Sequence, residues 1–74
     1  MITRSNSTNL TICVNGEREA LAGPATVTTL VQILGPRPPF AVEVNKRLVR
    51  RADYDSTALC DGDVVEIVTL VGGG

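Results

Sequence analysis

Histidine and tryptophan are absent from this chain, and its aromatic side chains are limited to Phe40 and Tyr54. Without histidine the commonest general base and metal ligand is missing, so autonomous catalysis is not expected. Seven Lys and Arg against eight Asp and Glu leave a net charge of −1. With so few aromatics the chain offers neither a stacking platform for bases nor an electrostatic footprint for phosphates, so nucleic acid is not an expected partner. Cysteine is scarce too: Cys13 and Cys60 lie far apart and lack metal-ligand spacing, and the N-terminal segment lacks the apolar core of a signal peptide. A reducing, cytoplasmic location is expected. No apolar stretch approaches the ~20 residues needed to cross a bilayer, so a membrane is not an expected partner, and no internal repeat is visible. The 74 residues suit a single small domain, of a size that buries only about 60% of the surface exposed by its unfolded chain. A deep internal active site is therefore not expected.

What the sequence does have is glycine at one particular place. Val71-Gly72-Gly73-Gly74 follows directly on the most strand-like segment, with no polar linker between. Glycine gives no side-chain packing and loses the most conformational freedom on ordering, so fold stability does not call for three in a row. A bare backbone arm could be drawn extended through a narrow channel, with Gly72 and Gly73 threading into a partner and the carboxylate of Gly74 delivered as the reactive group. The alternative is an inert, frayed end.

Residues 1–9 are polar and without apolar period, and are expected to form a mobile extension ahead of a domain over 10–71 and a flexible glycine tail over 72–74. Leu10, Ile12 and Val14 alternate with Thr11 and Cys13, the pattern of a strand with one buried face. Asn15-Gly16 is a strong hairpin signal because both residues tolerate the positive φ of a type I′ turn, and Glu17–Leu21 would return antiparallel. Gly23-Pro24 ends that strand. Val27, Leu30, Val31 and Leu34 then share one helix face, with Thr26 as N-cap and Gly35-Pro36 as the stop. After the stiff Pro36-Arg37-Pro38-Pro39 connector, Phe40, Val42 and Val44 alternate with Ala41, Glu43 and Asn45 as a third strand. A short fourth strand is expected over Leu48–Arg51. Ala52–Cys60 reads as irregular with Leu59 plugging the core, Asp61-Gly62-Asp63 as a turn, and Val64–Val71 as a central strand.

This order predicts an α+β fold of the β-grasp type, a mixed sheet of four to five strands with one helix across one face. On the last strand Val65, Ile67 and Thr69 should point one way, and Val64, Glu66, Val68 and Leu70 the other. If the first set faces the helix, the second leaves an apolar face uncovered, unless the 52–60 loop lies over it. Such faces usually mark docking surfaces, and Val64, Glu66, Val68, Leu70 and Val71 are the expected docking strip, Glu66 contributing orientation more than affinity.

Val44-Asn45-Lys46 with Leu48-Val49, then Leu59-Cys60-Asp61-Gly62-Asp63-Val64-Val65-Glu66-Ile67-Val68 and the closing Val71-Gly72-Gly73-Gly74, resemble the ThiS family of thiamine-biosynthesis sulfur carriers. The resemblance runs from about Leu10 onward and implies a ubiquitin-like fold with sulfur carried as a thiocarboxylate on Gly74. It implies three partners: a ubiquitin-activating-type enzyme that adenylates the carboxylate using ATP and Mg²⁺, a persulfide protein that donates sulfur, and a thiazole synthase that receives it. Catalytic groups would sit on those partners, leaving this chain a carrier with no cofactor or metal of its own. The small subunit of molybdopterin synthase has the same fold and tail logic and is the nearest rival. A ubiquitin-type protein modifier and a plain β-grasp interaction module are the others.

Remaining features weigh less. Cys13 and Cys60 read as small buried hydrophobes in preference to sulfur-handling thiols. Lys46, Arg47, Arg50 and Arg51 form a basic cluster, either a solvated face or a steering patch for an acidic partner. Asp61 and Asp63 flanking Gly62 read as a turn more readily than as a cation site, since they lack further oxygen ligands.

Overall fold

The computed structural model of the protein describes residues 9–70. β1 (Asn9–Val14) and β2 (Glu17–Ala22) pair antiparallel across Asn15-Gly16, where φ is 51° and 85°, as a type I′ hairpin requires. β1 begins one residue before the expected Leu10, with Asn9 opposite Ala22.

Helix α1 (Val27–Leu34) is held at both ends as its sequence predicts. The Thr29 N–H donates to Thr26 Oγ1 at 3.4 Å and the Thr26 N–H to Thr29 Oγ1 at 3.2 Å, satisfying two donors that the first turn would otherwise leave free. At the other end Gly35 adopts the left-handed conformation, φ 56°, and its N–H bonds the Val31 carbonyl at 2.8 Å. The expected apolar stripe is only partly buried: Val27 and Leu30 are fully inside and Val31 half-buried, but Leu34 lies at the surface. Leu34, at the end of the eight-residue helix, borders an open pocket with Val14, Ile67 and Thr69 that nothing among the described residues fills.

β3 (Phe40–Val44) and β4 (Arg47–Val49) form a second hairpin through Asn45-Lys46, both at positive φ. β4 is shorter than expected, because Arg51–Asp53 turns into a 3₁₀ segment in place of extended chain. β5 (Val64–Thr69) lies in the middle of a five-stranded sheet of order β2-β1-β5-β3-β4, parallel to β1 and antiparallel to β3. Five strands in a mixed sheet with one helix, among the described residues, make the β-grasp arrangement.

The core lies between α1 and one sheet face. Ile12 and Val14 of β1, Val42 of β3, and Val65 and Ile67 of β5 meet Val27 and Leu30 there. Leu59 plugs this core as expected, 5% exposed. The segment carrying it is stitched to the helix start: the Val27 N–H donates to the Thr57 carbonyl at 3.0 Å, the Leu59 N–H to the Ala25 carbonyl at 2.9 Å, and Thr28 and Asp55 side chains bond each other. The 52–60 loop therefore lies with the helix and leaves the opposite sheet face uncovered among the described residues.

Candidate docking face and tail exit

The strand leading to the glycines is fixed at three points. Where β1 ends in its turn, Asn15 continues the ladder with its side chain: the Ile67 N–H donates to Asn15 Oδ1 at 2.8 Å, and Asn15 Nδ2 donates to the Ile67 carbonyl at 3.1 Å. On the other flank the Val64 N–H donates to Asn45 Oδ1 at 2.9 Å, while the Asn45 N–H donates to the Val64 carbonyl at 2.7 Å. The Leu70 N–H donates to the Pro39 carbonyl at 2.8 Å, where the described residues end. Both asparagines sit at positive φ, a conformation that a short polar side chain bonding locally tolerates.

Asp61-Gly62-Asp63 is a turn, and its carboxylates accept N–H groups. Asp61 Oδ1 takes the Thr11 N–H at 2.7 Å, and Asp63 takes the Cys60 N–H at 2.8 Å and Asn45 Nδ2 at 2.9 Å. The turn thus sets where β5 enters the sheet.

Alternation along β5 falls as the sequence predicts, with Val65 and Ile67 in the core. Val64, Glu66 and Val68 face outward and are exposed, and Leu70, just past the strand, is half exposed. Thr69, expected to join the core set, is exposed, because an open pocket that it lines with Leu34, Pro36 and Ile67 separates it from the end of the helix. Val71, Gly72, Gly73 and Gly74 lie outside the described residues, as do residues 1–8 of the N-terminal extension.

The register adds neighbours that β5 alone does not reveal. Val64 stands opposite Cys13 of β1, Val68 opposite Ala41 of β3, and Glu66 opposite Glu43; beyond Glu43 comes Leu48 of β4, 65% exposed. Apolar residues thus flank two carboxylates side by side along β5, β3 and β4, with Asn15 on the β1 side. Alternation in β3 already set Ala41 and Glu43 on one side of their strand. Pairing order, which joins them to Val68 and Glu66, was not in the sequence pattern.

The cysteines differ from expectation. Cys60 is exposed, because the turn uses its backbone N–H and leaves the thiol outside. Cys13 is half-buried on the outer sheet face, the parity opposite to Ile12 and Val14. Lys46, Arg47, Arg50 and Arg51 are all exposed, and Arg50 pairs with Asp53 at 3.4 Å in a setting too wet to contribute much stability.

A sequence model of the ThiS family matches residues 12–74. A thiazole synthase of Paramagnetospirillum magneticum is 38% identical over 64 residues, covering 85% of this chain but 20% of that protein. The sulfur carrier protein ThiS of Bacillus subtilis is 52% identical over 33 residues, 45% of this chain and 50% of that one. Among solved structures, the thiamine biosynthesis protein ThiS of Geobacter metallireducens superposes with a TM-score of 0.75 at 32% identity, covering 88% of this chain and all of that one. The chain thus spans a fifth of the matched thiazole synthase and half of the Bacillus carrier. With the family match running from β1 to the final glycine, and the same sheet and helix in the Geobacter protein, the chain belongs to the ThiS family of sulfur carriers for thiamine biosynthesis.

Proposed function

We propose that this chain carries sulfur as a thiocarboxylate on Gly74 and gives it up during thiazole formation. What supports the proposal is that β5, whose outer face is uncovered among the described residues, is followed in the sequence after Leu70 by Val71-Gly72-Gly73-Gly74. The sheet supplies a grip and the glycines carry no side chain to crowd a reacting carbonyl.

A carboxylate is a poor acyl donor because its oxygen leaves badly. An adenylating enzyme of the ubiquitin-activating type joins it to AMP, releasing pyrophosphate from ATP, with Mg²⁺ and cationic groups of that enzyme meeting the phosphate charge. The terminal sulfur of a persulfide protein then displaces AMP. A thiol takes the donor's remaining sulfur as a disulfide and leaves the thiocarboxylate on Gly74. Thiazole synthase receives that sulfur, a partner suggested by the thiazole synthases that contain a stretch similar to this chain. The chemistry belongs to the partners, in keeping with a chain that lacks histidine. Presentation is its own task, and the compartment is the reducing one of the cytoplasm, where an acyl sulfur survives.

Intact-mass measurement of the protein purified from its own organism tests this. Replacement of one terminal oxygen by sulfur, localised to Gly74, is the expected result. Unmodified glycine in every preparation, or a terminus found joined to a lysine, would overturn it. Co-purification with a molybdopterin synthase large subunit in place of thiazole synthase would redirect the sulfur to another acceptor.

A further inference from the structure

Glu43 and Glu66 are directly paired across β3 and β5 on the outer sheet face. Side chains so placed have Cβ atoms about 5 Å apart, and like charges there destabilise a sheet. Among the described residues neither carboxylate has an ion-pair or hydrogen-bond partner, the single salt bridge being Arg50–Asp53. Val64 and Val68 along β5, Ala41 along β3 and Leu48 on β4 are apolar neighbours on this face, while the Asn15 amide, already bonded to Ile67, lies on the β1 side of Glu66 and Arg50, paired with Asp53, lies beyond Ala41 and Leu48. The free protein gains nothing from this opposition.

We propose that the face docks a protein surface that presents an arginine or lysine from an apolar patch, the cation seating between Glu43 and Glu66 while Val64, Val68 and Leu48 exclude water around it. The proposal rests on the sulfur-carrier reading, and the partner it commits to is thiazole synthase. Charge decides among occupants. A second copy of this chain would bring four carboxylates together on a two-fold axis, and phosphates or an anionic bilayer would meet two uncompensated negative charges, so each is disfavoured. A cation enclosed by apolar contacts relieves the repulsion and gains charge-assisted bonds in a dry setting, where a planar arginine fork can span both carboxylates. Glu66 then does more than orient the complex, and it acts jointly with Glu43.

The test compares the full chain with Glu43→Gln, Glu66→Gln and the double variant, measuring thermal midpoint, association state, and affinity for purified thiazole synthase of the same organism by calorimetry at low and high salt. The double variant is expected to melt at or above the wild-type temperature, to bind the synthase at least about tenfold more weakly, and to lose most of the salt dependence of binding. Wild-type affinity in the double variant, a lowered melting temperature, dimerisation of the wild-type chain through this face, or no wild-type binding would each overturn the proposal. The mass of Gly74 in the wild-type protein reads the carrier function separately: sulfur on Gly74 with unaltered binding by the double variant removes only the cation seat, whereas weakened binding with no sulfur ever found removes only the carrier function.

Discussion

At the scale of single residues, two asparagines hold β5 where backbone pairing stops. Asn15 answers both polar groups of Ile67 with one amide, and occupies a positive φ that alanine adopts only at a cost of about 1 kcal/mol. Asn15→Ala should therefore lower the unfolding free energy by about 2 kcal/mol, from the strained backbone and the lost bonds together. Asn15→Gly keeps the turn and loses only the bonds, so it should fall between; urea denaturation with equal m-values would show it, and an alanine variant as stable as wild type would mean that water replaces the clamp. Gly73 carries a different expectation. Among the described residues the core runs from Ile12 to Ile67, so Gly73→Val is expected to leave the melting temperature unchanged. A branched side chain in a narrow channel should still cut adenylate formation by at least about a hundredfold in a pyrophosphate-release assay. Normal adenylation by that variant would rule out the channel.

At the scale of elements, the segment from Arg50 to Leu59 adds Leu59 and part of Tyr54 to a core that the helix covers with Val27 and Leu30. Leu59 reaches it from the chain that follows the Arg51–Asp53 3₁₀ turn, tied to the start of the helix through the Leu59 N–H to Ala25 and the Val27 N–H to Thr57. Leu59→Ala removes a buried side chain in a molecule with few others, and should cost about 2–5 kcal/mol by thermal or urea unfolding, with no compensating change at the outer face. A loss below the low end would show that the loop collapses into the gap. Elements with strong local chemistry were legible in the sequence: the Asn15-Gly16 turn, the Thr26 cap, the Gly35 stop and the alternation of β5 each followed from residues close together. Elements set by distant contacts were not. Asn45-Lys46 turns at two positive φ values although lysine does not advertise one, and β4 breaks off at Val49 because the chain must swing toward the helix. The candidate site divides the same way. Its β5 half could be read from a period of two, while Glu43, Ala41 and Leu48 joined it only through the order β1-β5-β3-β4, which no local pattern encodes.

At the scale of the whole molecule, one helix and one sheet leave one sheet face over. In a chain of 74 residues that face is a large share of the surface, and keeping it largely apolar and uncovered among the described residues works against solubility. The arrangement makes sense if other proteins cover it while the tail is in use, and Leu70 is where face and tail meet. Half exposed and held through its backbone to Pro39, it stands outside the core cluster of the described residues. Leu70→Asp should accordingly shift the melting temperature by no more than a surface substitution does, within about 0.5 kcal/mol. The same change puts an unpaired charge into any complex that buries the strip, and should weaken binding to thiazole synthase and to the adenylating enzyme by at least about tenfold each. Calorimetry of binding and of unfolding on one preparation separates the two effects. If Leu70→Asp mainly unfolds the protein, the side chain packs inward and the two faces of β5 have been assigned the wrong way round at its end; if neither folding nor binding changes, partners grip the body elsewhere and the tail alone enters them.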